Sequence, residues 1–147
     1  MQYSGKNMDR EESIKTAAAE NDDHCFCCGV KNEKGLKLTF DTLNETTVAT
    51  SLEVPDYFTG WANLTHGGLI SMLLDETMAQ ACIEKGLKGF TAELTVRFIK
   101  PLPVKTFVTV EGRIDELKRR IARTSGFVKD SDGTVYAEGK ARFIRAE

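Results

Sequence analysis

Residues 61–85 read WANLTHGGLISMLLDETMAQACIEK, and this stretch decides the fold. After a turn-like opening it reaches His66-Gly67-Gly68, then runs from Leu69 to Ile83 without a proline or glycine. Apart from Ile70 and Ile83, its only β-branched residue is Thr77. Alanine, leucine and methionine dominate, and these side chains lose little rotamer freedom in a helix. At about 1.5 Å per residue such a helix is roughly 25–30 Å long, enough to cross a small domain. It is apolar nearly all round, which predicts burial rather than a surface position. Two adjacent acids, Asp75 and Glu76, nevertheless sit in its middle. A carboxylate on a buried helix calls for a functional reason.

On both sides of the helix the hydrophobic period changes to two. Leu36, Leu38 and Phe40 alternate with Lys37, Thr39 and Asp41, which predicts a half-buried strand. Leu43-Asn44-Glu45 reads as a turn, and residues 47–54, rich in β-branched side chains, as a second strand pairing with the first. Pro55-Asp56 ends this hairpin, and residues 57–65 lead into the helix as an aromatic-containing loop. Beyond the helix, Gly86 and Gly89 supply its stop. Ala92, Leu94, Val96 and Phe98 then alternate with Thr91, Glu93, Thr95 and Arg97. Pro101 and Pro103 interrupt, and strands resume over 104–114, 121–129 and 134–144. Asp132-Gly133 is a two-residue hairpin signal between the last two. Two strands, one long helix and about four strands predict an α+β domain, a six-stranded antiparallel sheet wrapped around one helix.

The 147 residues suit one domain with its own core. A net charge of −2 with mixed signs argues against a general nucleic-acid or membrane-surface binder. No early apolar stretch reads as a signal peptide and no apolar run reaches transmembrane length, so a cytoplasmic protein is expected. Residues 1–23 form a polar extension without evident chemistry, compatible with an exposed helix over 9–19 or with a mobile tail. The domain proper is expected over 24–147. It opens on His24-Cys25-Phe26-Cys27-Cys28-Gly29, with a CxxC spacing. Three thiols and an imidazole match the ligand count of a structural zinc. However, no second ligand pair at loop spacing follows, and neighbouring residues do not readily converge on one metal. These cysteines therefore read as small, turn-packing residues, and no metal is expected. With Cys82 they number four, too few and too clustered for a secreted disulfide scaffold.

Several motifs in order carry a family resemblance: HGG at 66–68, LLDE at 73–76, and Asp75 nine residues after His66. Leu94-Thr95-Val96-Arg97-Phe98 leads to Lys100-Pro101-Leu102-Pro103, and the leading CxxCG is followed by GLxLxF. Over residues 25–143 the chain resembles hotdog-fold acyl-CoA thioesterases of the phenylacetate-pathway type, in the 4-hydroxybenzoyl-CoA thioesterase superfamily. The resemblance implies a sheet wrapped around the central helix and subunits that pair to form the active sites, as a homodimer or a dimer of dimers. It also implies a coenzyme A thioester as substrate, with no cofactor. Thr91 begins a strand where related enzymes have a Ser or Thr that can hold the attacking water. The family often has an Asn six residues before its His; Gly60 stands there here, and Asn63 is the candidate replacement.

The residues support that chemistry independently. Thioester hydrolysis needs water or a carboxylate to attack the carbonyl carbon, and donors for the developing oxyanion. Gly67 and Gly68 stand where the helix begins, where N–H groups lack intrahelical partners and the dipole is positive. Asp75 shares a helix face with Ser71, Met72, Met78, Ala79 and Cys82. This mostly apolar setting should raise its pKa and fit it as general base or nucleophile. His66 is a candidate to touch substrate or to orient the loop. Glu76 is a candidate substrate contact whose plainer role is to face solvent or form an interface ion pair. Arg97 and Lys100 are candidates for the CoA phosphates. Gly67 and Asp75 are eight residues apart, about 12 Å along one helix, so one carbonyl cannot readily reach both. An antiparallel second copy would bring one chain's Asp75 opposite the other's Gly67.

A thioester hydrolase is the leading reading. A dehydratase or hydratase of the same fold is the alternative, through the Glu-x-Met-Ala-Gln pattern at 76–80, but its His-Pro and Pro-Gly turn is absent from 59–69. A non-catalytic acyl-CoA-binding protein ranks last, since no DNA-binding segment is evident.

Overall fold

The central helix, α1, runs over Gly67–Glu84 in a computed structural model that describes residues 20–146. The helix considered over 9–19 falls outside the described residues. α1 stops as its sequence suggests: Gly86 takes φ +77°, its N–H donates to the Ile83 carbonyl, and the Leu87 N–H reaches back to Cys82. That pairing closes a Schellman turn, and Leu87 anchors it in the core.

Six strands make one antiparallel sheet: β1 (Asp41–Thr42), β2 (Thr47–Glu53), β3 (Gly89–Phe98), β4 (Phe107–Lys118), β5 (Ile121–Asp130) and β6 (Val135–Arg145). Their order is β1-β2-β4-β5-β6-β3, so β3, which follows the helix, pairs with β6 at the far edge. β4, β5 and β6 are successive hairpins under the helix. The hotdog arrangement expected from the sequence is present. No helix among the described residues is long and apolar enough to cross a membrane.

α1 buries two adjacent rows at i, i+4 spacing: Leu69, Leu73, Thr77 and Ala81 beside Ile70, Leu74, Met78 and Cys82. Leu73, Leu74 and Met78 are fully buried, against a sheet face that includes Val108, Val110, Val128 and Phe143. Thr77 meets its own need by donating to the Leu73 carbonyl at 2.7 Å. A side chain on Gly112 would come within 2.7 Å of the helix backbone at Thr77 and Met78, so its absence lets α1 rest directly on β4. The helix is not buried all round, however. Ser71, Met72, Asp75, Glu76, Ala79 and Gln80 form a half-exposed second face that the sheet does not cover.

Three local expectations are corrected. Residues 36–40 point Leu36, Leu38 and Phe40 inward but form no ladder. Lys37 adopts φ +50°, and the Leu36 and Leu38 N–H groups donate to the carbonyls of Phe26 and Cys27. Only Asp41 and Thr42 pair with β2. The strand expected over 104–114 starts later and runs longer, because the Lys105 N–H turns back to Val54 with Lys105 at φ +66°. The β5–β6 turn spans three residues rather than two, closed by Asp130 N–H to Thr134 carbonyl, with Gly133 at φ +85°.

Candidate active site

The helix start is built by the loop before it. Leu64 bridges Pro103, Thr59 bridges Thr65, and the backbone N–H groups of Thr65 and His66 donate to Leu102 and Phe58. This holds His66 extended at the cap, where its Nδ1 accepts the Gly68 N–H at 2.8 Å. The neutral ring therefore carries its proton on Nε2. The two glycines expected at the oxyanion site therefore differ in the state of their N–H groups. The Gly68 N–H is taken by His66, whereas Gly67, at the first helical position, has no intrahelical acceptor. The ring of Phe98 lies where a Gly67 side chain would come within 3.2 Å. Gly60, Trp61, Thr65, His66 and Gly67 line a cleft of about 410 Å³ here. Thr65 was not singled out from the sequence, yet its buried Oγ1 has no hydrogen-bond partner among the described residues.

Asp75 lies two turns further along, on the open face of α1. The Thr91 Oγ1 donates to its Oδ1 at 2.7 Å. Simple alternation puts Thr91 outside, with Glu93 and Thr95. A bulge reverses it: Thr91 opposes Phe143 and Glu93 opposes Arg142, leaving Ala92 as the extra residue. Thr91 thereby turns inward beside buried Phe143. Burial pushes the Asp75 carboxyl above its ordinary value, the Glu76 charge adds to this, and the Thr91 hydrogen bond partly opposes it.

The other candidates lie apart from this pair. Glu76 accepts from Gln80 Nε2 at 3.2 Å and faces the cysteine loop. Asn63, at φ +60°, lines a separate depression with Asp56, Tyr57 and Pro103, not the His66 cleft. Arg97 points to the outer face of the sheet, where it lines a groove of about 760 Å³ with Arg113, Glu138 and Lys140. Lys100 is exposed, its charge acting on Asp130 near the β5–β6 turn. Neither cation reaches Asp75 in one chain.

Residues 62–137, spanning His66, Asp75 and Thr91, match the thioesterase superfamily. The chain belongs to that superfamily. Within the thioesterase superfamily it is 29% identical over 89 residues to the acyl-coenzyme A thioesterase THEM4 of Mus musculus. That match takes in 60% of this chain but only 38% of the relative, so the chain spans well under half of its length. The Escherichia coli PaaI protein from the phenylacetic acid degradation operon superimposes with a TM-score of 0.70 at 17% identity, over 75% of this chain and 84% of that one. The smu.793 protein of Streptococcus mutans, solved with acetyl CoA, superimposes with a TM-score of 0.70 at 18% identity, over 74% and 87%. These likenesses establish the hotdog fold.

Proposed function

We propose that this superfamily member hydrolyses an acyl-CoA thioester to a free acid and CoA, working as a homodimer. The observation that carries the reading is the carboxyl of Asp75, of raised pKa, held by Thr91 on the helix face that the sheet leaves open. The thioester oxygen would accept the Gly67 N–H at the positive end of the helix. Asp75 would take a proton from water as its oxygen bonds to the carbonyl carbon, or would itself attack to form a transient anhydride. In either route the carbon–sulfur bond breaks and the leaving thiolate is protonated, and in the second water then hydrolyses the anhydride, releasing the acid and restoring Asp75. The names of THEM4 and the acetyl CoA held by smu.793 support the substrate class.

The dimer follows from distance. Gly67 and Asp75 of one chain stand about 12 Å apart along α1, too far for one carbonyl. A second α1 running antiparallel across a two-fold axis would pair them between chains and cover the open face. Trp61, 85% exposed, with Phe98 and Ile99, supplies apolar surface for such a partner near the helix start.

Free-thiol release from a panel of acyl-CoAs tests the activity, and mixed dimers test the shared site. Asp75→Asn and Gly67→Pro chains, each inactive alone, should regain activity when co-expressed. Random pairing makes about half of the dimers mixed, so about one quarter of all sites are intact. Proline removes the N–H yet is tolerated at a helix start, and each variant is first checked for folding and dimerisation. Mixed dimers that stay inactive would end the shared-site reading.

A further inference from the structure

The cysteine loop does something the spacing did not disclose. Cys25 Sγ, Cys27 Sγ and a Glu76 carboxylate oxygen all lie within 4.8 Å of one another. Cys28 is the third thiol of the same turn, influenced by both Glu76 and Cys25, and Gln80 Nε2 approaches its sulfur at 3.9 Å. Two thiols from one turn and one carboxylate from the middle of α1 thus converge, with the Cys28 thiol of the same turn as the candidate fourth donor. We propose that Cys25, Cys27, Cys28 and Glu76 are the ligands of a zinc ion that ties the loop to the open face of the helix.

Coordination geometry favours this. A tetrahedral zinc with Zn–S bonds of about 2.3 Å needs sulfurs about 3.8 Å apart, so the three closest donors must draw in by roughly 1 Å at most. Thiolates select a soft or borderline cation such as zinc over calcium or magnesium. The loop is also fixed in the shape that aims its sulfurs. The Gly29 N–H donates to Cys25 at 2.8 Å and the Lys31 N–H to Asp23 at 2.9 Å, and Phe26 and Cys27 accept from Leu36 and Leu38. A side chain at Gly29 would run into the Cys25 backbone and the Asp23 carbonyl. Cys25 and Cys28 are half-buried, which leaves an entry path, whereas Cys27 is buried.

The expectation of no metal rested on a missing second ligand pair and on neighbouring residues failing to converge. The first objection is met in part by Glu76, about fifty residues away in sequence. The imidazole once counted as the fourth ligand is not part of the convergent group, and His24 is exposed with its Nδ1 2.9 Å from the Asp22 carbonyl. The inference stands apart from the thioesterase reading, since none of its ligands is asked to touch the thioester carbon.

The test uses the full chain stripped with a chelator, then titrated with zinc or cobalt. About one metal should bind per chain, and cobalt should develop thiolate-to-metal charge-transfer absorption. Alkylation mapped by mass spectrometry needs no variant: zinc should protect Cys25, Cys27 and Cys28 while leaving Cys82 unchanged. Cys25→Ser and Glu76→Gln should each weaken binding by at least the ~10–100-fold seen on losing a group that merely supports a ligand. Cys82→Ser, buried on the sheet-facing side, should not. Absent cobalt–thiolate absorption, alkylation indifferent to zinc, a Cys25–Cys28 disulfide in the reduced-buffer protein, or full affinity in Glu76→Gln would each overturn the site.

Discussion

The two faces of α1 are made from the same run of residues and do opposite things. On the face against the sheet, Leu69, Leu73, Leu74 and Met78 meet β4, β5 and β6, and its one polar residue, Thr77, is satisfied inside the helix. On the open face, the two carboxylates also meet groups from elsewhere in the chain: Thr91 of β3 donates to Asp75, and the cysteine loop lies beside Glu76. The first face holds the helix down. The second uses a rigid helix as a rail on which carboxylates are set at fixed distances, with Asp75 buried deeply enough for its pKa to rise yet left half-exposed.

This contrast breaks if changes on either face act alike. Leu74→Ala, whose side chain fills the space left by Gly126 and Gly139, should lose about 2–5 kcal/mol in urea unfolding while the folded fraction keeps its turnover. Asp75→Asn should do the reverse, lowering turnover at least about 10²-fold with the fold intact. Its stability has a definite sign. The folded pKa of Asp75 lies above the unfolded one, so stability is fully present below the unfolded pKa and declines as pH rises toward the folded pKa. An uncharged Asn escapes that loss, and the variant should melt no lower than wild type at pH 7. Near-normal turnover would remove Asp75 from the mechanism.

Thr91→Val sharpens the comparison by altering only the partner from β3. It should cost about 10- to 100-fold in turnover, the range of one hydrogen bond to a charged group. Because that bond favours the ionised carboxylate, losing it should raise the pKa of Asp75 further. The acid limb of the rate profile should then move to higher pH. An unmoved limb would mean that Thr91 acts through something other than Asp75.

The architecture was legible because periods of 3.6 and 2 are local, and so were the glycines that end α1. What escaped depends on residues distant in sequence. Apolarity around α1 foretold burial but not which face the sheet would cover. Leu36, Leu38 and Phe40 alternate as a strand does, yet their backbone bonds go to the cysteine turn. Counting by twos put Thr91 outside, and only its register against β6 brings it in. Both glycines of HGG looked equally free until His66 closed on one. Glu76 could not be joined to Cys25 and Cys27 by any spacing rule, since the fold alone makes them neighbours.

The position of β3 has a consequence for the protein in a crowded solution. It is ten residues long, stands at the end of the sheet, contains no proline, and carries only Glu93 and Arg97 as charges. Natural sheets usually blunt such margins with lysines, prolines or short length, and this one does little of that. A solitary chain would offer this strand to any extended polypeptide it met, self or foreign. Raising the protein's concentration should therefore appear first as aggregation rather than as lost activity.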